Sequence, residues 1–143
     1  MARILIAEDE EGLRSLVARA LMLDGHDVIT ANDGAEALEL IVRTQGAFDL
    51  LLTDIRMPVM DGIALALATA RDHPQMGILL MTGYADQRER ASGLDALIHD
   101  VITKPFSLGT IRSAVNEALA ACREKMHWNE RTANERAALA ARP

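Results

Sequence analysis

The chain has 143 residues, half of them hydrophobic, and this length favours a single compact domain with a substantial core. Its formal net charge of -6 disfavours DNA binding, since a phosphate-backbone interface needs clustered Lys and Arg. Cys122 is the single cysteine, so the sequence offers neither an internal disulfide nor a thiol cluster for zinc. The apolar run near the N-terminus is too short for a signal peptide or a membrane span, and we expect a cytoplasmic protein.

Five short apolar runs, each bounded by turn or acidic residues, predict buried strands at residues 3–7, 27–31, 48–53, 77–81 and 99–103. Between the first two runs, one helix face carries the apolar residues Leu13, Leu16, Val17, Ala20 and Leu21. Further helices are predicted at residues 34–45 and 62–73, and a short polar one at 86–93. A fifth helix has an apolar face made of Leu108, Ile111, Val115, Ala118, Leu119 and Cys122. This alternation predicts an α/β fold with a doubly wound, five-stranded parallel sheet.

Residues 123–143 are rich in Ala, Glu and Arg and lack an apolar stripe. We therefore predict a domain over residues 1–122, followed by a tail that either prolongs the last helix or is disordered. Trp128 lies in this tail, where it is either an anchor on the domain or a contact for a partner.

Polar residues follow four of the predicted strands at their carboxyl ends. Glu8 and Asp9 follow the first strand and Asp54 follows the third. Thr82 follows the fourth strand and Lys104 the fifth. Ligands of open α/β sheets bind outside the carboxyl ends of the strands, so we expect these five side chains to converge.

The three carboxylates would repel each other unless a cation lies among them, and oxygen ligands favour Mg²⁺. Such a site suits phosphoryl transfer, in which Asp54 attacks phosphorus while Lys104 and Thr82 contact the phosphoryl oxygens. Each of these residues alone is at least as often a helix cap or a turn residue. Their joint occurrence at four strand ends favours the functional interpretation.

Residues 2 to about 121 resemble the receiver domain of bacterial two-component response regulators. The segments that carry the resemblance are Ile-Ala-Glu-Asp-Glu, Leu-Leu-Thr-Asp-Ile-Arg-Met-Pro-Val-Met-Asp-Gly, Met-Thr-Gly-Tyr-Ala and Thr-Lys-Pro-Phe. The resemblance implies a flavodoxin-like, CheY-like (βα)5 fold. The general pattern is similar to single-domain receivers of the CpdR type, which regulate protein turnover through a protease.

This resemblance implies that Asp54 is the phosphoryl acceptor. Thr82 would be the switch hydroxyl and Lys104 the cation that contacts the phosphoryl group. The expected cofactor is Mg²⁺, and its ligands would be Glu8, Asp9, Asp54 and the backbone carbonyl of Arg56. In the family, the peptide bond corresponding to Lys104–Pro105 is usually cis.

Two positions depart from the family pattern. Val101 stands where receivers usually have an aromatic residue whose burial accompanies activation. An aromatic rotamer therefore cannot report the switch in this chain. Arg56, two residues past the acceptor, is a long cation that could shield the phosphoryl group or pair with a neighbouring acid.

The resemblance also implies partners. A sensor histidine kinase or a phosphotransfer protein would donate the phosphoryl group. Because only about twenty residues follow the fifth helix, we expect the output to be a separate protein. Its docking surface would be the fourth helix, the fifth strand and the fifth helix, which lie beside Thr82 and Lys104. The regulated process would be proteolysis or the cell cycle.

Two other functions stay open. The first is a receiver-fold adaptor that signals without phosphorylation, for which Val101 is the chief argument. The second is an Mg²⁺-dependent hydrolase that forms an aspartyl phosphate. Arg56 disfavours the hydrolase, because that class typically has a second acid at this place. We therefore expect self-phosphorylation and autodephosphorylation rather than turnover of outside substrates.

Overall fold

A computed structural model describes residues 2–83 and 90–141 of the chain. Its elements in chain order are β1 (Arg3–Ala7), α1 (Glu11–Leu23), β2 (Asp27–Ala31), α2 (Gly34–Arg43), β3 (Leu50–Asp54), α3 (Gly62–Asp72), β4 (Gly77–Thr82), a 3₁₀ turn (Ser92–Leu94), β5 (Asp100–Thr103) and a C-terminal helix (Leu108–Ala140). The strands form one parallel sheet in the order β2-β1-β3-β4-β5. The predicted doubly wound sheet is confirmed.

Strand ends differ from the sequence prediction by a residue or two. β3 ends on Asp54, because Asp54 still pairs with Met81 of β4. β4 likewise ends on Thr82, which pairs with Thr103 of β5. Asp54 and Thr82 thus belong to the hydrogen-bonded sheet, which holds their backbone more firmly than a loop would. Of the predicted polar helix, residues 86–89 lie outside the described residues, whereas residues 90–91 are helical.

The helices cover both faces of the sheet. α1 and the C-terminal helix cover one face, where a core cluster includes Ile4, Leu52, Leu79, Leu21 and Val115. α2 and α3 cover the other face, together with the 3₁₀ turn. All five residues of β3 are buried, as expected for the central strand of such a sheet. Each fully buried Leu or Ile contributes about 1.5–3 kcal/mol through removal of apolar surface from water.

Three of the four described α-helices begin with a capping side chain. Asp33, Asp61 and Ser107 each accept a hydrogen bond from the backbone N–H three residues further on, at 2.8, 2.9 and 3.1 Å. Such caps satisfy a backbone donor and contribute about 1 kcal/mol each. α1 differs, because its N-cap residue, Glu10, makes no capping hydrogen bond with its side chain.

Gly62 brings the start of α3 against the end of β3. Its backbone N–H donates to the carbonyl oxygen of Ile55 at 2.7 Å. A side chain at this position would overlap the carbonyl oxygen of Asp54. Glycine therefore allows the close approach of α3 to the strand end that carries the acidic site.

The C-terminal helix continues through most of the predicted tail, as far as Ala140. Its last buried residue is Leu119, and Cys122 is half-buried. Beyond this point, Trp128 is 59% exposed. The domain boundary predicted at residue 122 stays a prediction. None of the helices in the described ranges is both long and apolar enough to cross a membrane.

Deletion of residues 124–143 is expected to leave the melting temperature of the domain within about 2 °C of the full chain. The physical reason is that the side chains buried against the sheet end at Leu119, so the deleted segment contributes little packing. Thermal unfolding followed by circular dichroism of both proteins checks this. A loss of several degrees would mean that Trp128 or a neighbour stabilises the domain.

Candidate functional site

The predicted site residues meet at the carboxyl edge of the sheet. Glu8 follows β1, and Asp54 is the last residue of the neighbouring β3. Lys104 follows β5, and its backbone N–H donates to the carbonyl oxygen of Thr82 at 2.7 Å. Parallel strands thus bring together residues that lie up to 96 positions apart in the chain.

Three carboxylates form the acidic part of the site. Glu8, Asp9 and Asp54 each offer a carboxylate oxygen within 4.8 Å of the others. Glu8 and Asp54 are only 1% and 6% exposed, whereas Asp9 is exposed. Two charges are therefore withdrawn from water, and the third faces solvent at the entrance of the site.

Lys104 lies between the two buried carboxylates. Its Nζ donates to Oδ2 of Asp54 at 3.0 Å and to Oε2 of Glu8 at 3.1 Å. Burial by itself would lower the pKa of Lys104, but the charges and hydrogen bonds of Asp54 and Glu8 outweigh it and raise that pKa. The ammonium group is therefore charged at neutral pH.

A single ammonium group does not fully compensate two buried carboxylates. Burial, followed by repulsion from Asp54, raises the pKa of Glu8 from 4.5 to about 7, although Lys104 opposes the shift. In the metal-free protein the site thus holds a surplus of negative charge near neutral pH. A divalent cation would relieve this repulsion, and the all-oxygen donor set fits Mg²⁺.

The acidic cluster opens into a cavity of about 780 Å³. Its lining includes Arg56 and Lys104 together with the acids Glu8, Asp9, Glu10 and Asp54. Arg56 is exposed, so its side chain stands at the mouth of the site. The ligand role predicted for the Arg56 carbonyl stays a prediction.

The remaining predicted residues surround this cluster. Thr82 is buried and follows Met81, the residue that pairs with Asp54. Val101 is half-buried and packs against the core cluster on the α2 and α3 face of the sheet. The peptide bond between Lys104 and Pro105 is cis. The roles assigned to Thr82 and Val101 in switching stay predictions.

Sequence reasoning missed two contacts around the site. Arg14 donates from Nη1 to the carbonyl oxygen of Glu8 at 2.9 Å. Arg90 donates to Asp61 at 2.7 Å and so links the start of α3 to the helical residues before the 3₁₀ turn. The position of Arg14, one helical turn after Glu10, was the available signal for the first contact. Asp61 and Arg90 carry no comparable local signal, because they are 29 positions apart.

The fold and the site together define a class of α/β domain that has an acidic cluster and a lysine at the carboxyl edge of a parallel sheet. A sequence profile of the response regulator receiver domain matches residues 4–116. The chain therefore belongs to the response regulator receiver family, and its fold is CheY-like.

Several characterised proteins are similar to this chain. Response regulator MprA of Mycobacterium leprae is 34% identical over 117 residues, which cover 82% of this chain and 50% of that protein. Transcriptional regulatory protein CpxR of Escherichia coli K12 is 31% identical, over 94% of this chain and 54% of its own length. The chain thus spans about half the length of these curated relatives.

Two solved structures show the same architecture. A CheY-like receiver domain protein from Methanospirillum hungatei superposes with a TM-score of 0.80 at 27% identity, covering 87% of this chain and 98% of that one. Response regulator protein TrrA of Thermotoga maritima, solved in complex with Mg²⁺-BeF, has a TM-score of 0.72 at 28% identity. That comparison covers 82% of this chain and 99% of TrrA.

Proposed function

We propose that the chain is a receiver phosphorylated on Asp54 in an Mg²⁺-dependent reaction. The observation that carries this proposal is the position of Lys104, whose ammonium group contacts Asp54 and Glu8 beside the exposed Asp9. Receiver domains accept phosphoryl groups from histidine kinases. The donor is therefore a sensor histidine kinase or a phosphotransfer protein.

In the transfer, a carboxylate oxygen of Asp54 attacks phosphorus, forming an O–P bond while the donor's N–P bond breaks. The donor imidazole leaves with the electron pair of that bond. Lys104 is positioned to donate a charge-assisted hydrogen bond to a phosphoryl oxygen, and the Thr82 hydroxyl is the neutral donor. Bound Mg²⁺ would supply charge neutralisation for the carboxylates and the phosphoryl oxygens.

Glu8, Asp9, Asp54 and the Arg56 carbonyl are the proposed ligands of Mg²⁺. Carboxylates that are close together, with one of them facing solvent, suit an ion that keeps several waters. Magnesium binding of this kind is weak, because a few carboxylates do not make a closed cage.

The proposed consequence of phosphorylation is a changed surface on the predicted fourth helix, β5 and the C-terminal helix, where a separate output protein binds. β5 leads directly into Lys104, and the first turns of the C-terminal helix follow closely after it. A movement of Lys104 toward a phosphoryl group is thus passed to this surface through a short piece of backbone. We place the protein in the cytoplasm and propose a CpdR-like role in regulated proteolysis or the cell cycle, without binding to DNA.

Titration of the protein with Mg²⁺ tests the metal site. We expect the amide signals of Glu8, Asp9 and Asp54 to shift first, and Asp9→Ala to weaken the response at least about tenfold, because a direct ligand is lost. Asp33→Ala, which removes an acid at the α2 cap, serves as the control and should leave the Mg²⁺ affinity unchanged. An unaltered response in Asp9→Ala would refute the metal assignment.

A further inference from the structure

The loop between β1 and α1, residues 8–10, carries two of the three acids of the site but lacks the helix-capping side chain found in comparable loops. Asp33, Asp61 and Ser107 cap the helices that follow their loops. Glu10, at the corresponding place before α1, makes no capping hydrogen bond with its side chain. Within the loop, the backbone N–H of Glu10 donates to Oε1 of Glu8 at 3.2 Å, and a second hydrogen bond to the loop comes from α1.

Arg14, a residue of α1, makes hydrogen bonds to this loop. Its backbone N–H donates to the carbonyl oxygen of Glu10 at 2.9 Å, as in an ordinary first helical turn. Its half-buried side chain reaches back, and Nη1 donates to the carbonyl oxygen of Glu8 at 2.9 Å. One residue thus holds both ends of the loop.

The carbonyl group of Glu8 belongs to the planar peptide unit that joins Glu8 to Asp9. Fixing this carbonyl oxygen therefore fixes the plane that contains the amide nitrogen and Cα of Asp9. The preceding backbone is already held, because the N–H of Glu8 donates to Ala31 at 3.2 Å. The contact from Arg14 thus restricts the position of the Asp9 Cα, the point from which the exposed Asp9 side chain leaves the loop.

We propose that Arg14 is a positioning residue for the divalent cation site, acting through the carbonyl group of Glu8 on the placement of Asp9. This inference rests on the proposed function, since it concerns the same Mg²⁺ site. Hydrogen-bonded groups behind direct ligands commonly change metal affinity by one to two orders of magnitude when they are removed.

The charge and the hydrogen bond of Arg14 have opposite effects on Mg²⁺ affinity. By charge alone, a guanidinium group near the acids repels the cation, so its removal would strengthen binding. If Arg14 instead acts through its hydrogen bond, its removal lets the Glu8–Asp9 peptide move and weakens Mg²⁺ binding. The sign of the change in Mg²⁺ affinity therefore separates the two roles.

The test compares the Mg²⁺ affinity of the wild type, Arg14→Met and Arg14→Gln by titration of amide signals. Arg14→Met keeps a long unbranched side chain of apolar character at this half-buried position and removes the guanidinium group. Arg14→Gln keeps a polar group, but on a shorter side chain. We expect both variants to bind Mg²⁺ about tenfold more weakly. Arg19→Met, an exposed residue of the same helix, is the matched control and should bind like the wild type.

A second measurement distinguishes a role of Arg14 in placing the metal ligand from a general disruption of the site. The rate of labelling by acetyl phosphate should need about tenfold more Mg²⁺ for half-saturation in the Arg14 variants, while the rate at saturating Mg²⁺ stays within about twofold. A misfolded site would lower the saturated rate as well. The conclusion is drawn from whichever Arg14 variant shows a folded amide spectrum.

Unchanged or tighter Mg²⁺ binding in the folded Arg14 variants would overturn the inference and leave the proposed function intact. Absence of any Mg²⁺ response in the wild type would instead overturn the proposed metal site, and the inference with it.

Discussion

Asp54→Asn is expected to abolish formation of the acyl phosphate. Asp54 is the last residue of β3 and is almost fully buried, with its carboxylate held by Lys104. An amide at this position is a poor nucleophile toward phosphorus and cannot form the mixed anhydride. Incubation with acetyl phosphate and Mg²⁺, followed by intact-mass measurement, should show a labile phosphoryl adduct on the wild type and none on the variant.

The fold of Asp54→Asn should survive. Asn has nearly the same shape as Asp, and it removes one of the two buried charges that share Lys104. The free energy of unfolding without metal should therefore be equal to that of the wild type or higher by about 1–2 kcal/mol. If Asp54→Asn is as stable as the wild type but is not labelled, the cause is the missing carboxylate nucleophile and not unfolding.

Asp27→Asn is the matched control, since Asp27 is exposed at the opposite end of the sheet. It should be labelled like the wild type. Equal labelling of Asp54→Asn and the wild type would contradict the assignment of Asp54 as acceptor. If Mg²⁺ and several phosphodonors label neither protein, the phosphorylation-independent adaptor becomes the better account.

Lys104→Ala is expected to leave a folded protein in which phosphorylation no longer changes the conformation of β5 and the C-terminal helix. Its ammonium group is the contact that joins Asp54 to the chain segment after β5. Without it, the phosphoryl group would lose the charged contact that Lys104 makes from the end of β5. Amide signals of these two elements should therefore respond to phosphorylation in the wild type and not in Lys104→Ala.

The same substitution should lower stability in the absence of metal. Glu8 and Asp54 would lose the ammonium group that lies 3.0–3.1 Å from them. Loss of one partner from a buried ion pair costs up to about 3–5 kcal/mol, and proton uptake by Glu8, whose pKa burial already raises to about 7, offsets part of that cost. Melting curves should show a fall of about 5 °C or more.

Added Mg²⁺ should raise the melting temperature of Lys104→Ala more than that of the wild type, because the cation replaces a missing positive charge. Lys125→Ala, on the exposed part of the C-terminal helix, is the control and should melt like the wild type. If the β5 amide signals of phosphorylated Lys104→Ala shift as they do in the wild type, Lys104 has no part in the switch.

Much of the fold was predictable because the governing signals are local. Short apolar runs and helical spacing lie within windows of five to fifteen residues, and they predicted each strand to within two residues at its ends. The end of β3 was misplaced by one residue. Asp54 is polar, so its side chain gives no strand signal, and only its pairing with Met81 of β4 extends the strand.

The candidate site was predictable in its composition and less so in its geometry. Glu8, Asp54 and Lys104 were expected to converge because all three follow or end parallel strands. Arg14 was missed because its role depends on how far a side chain reaches back from α1. The pairing of Asp61 with Arg90 was missed because it joins two parts of the chain that only the packed domain brings together.

The α/β class, the parallel sheet and the residue types available for phosphoryl chemistry follow from the amino-acid order alone, since periodicity and strand-end motifs are properties of the chain. In contrast, the folded domain is needed to place one ammonium group against both Glu8 and Asp54 and to raise the pKa of Glu8 to about 7. These properties depend on burial and on charges 46–96 positions distant in the chain, as between Glu8, Asp54 and Lys104. Residues so far apart in the chain come into contact only when the sheet forms.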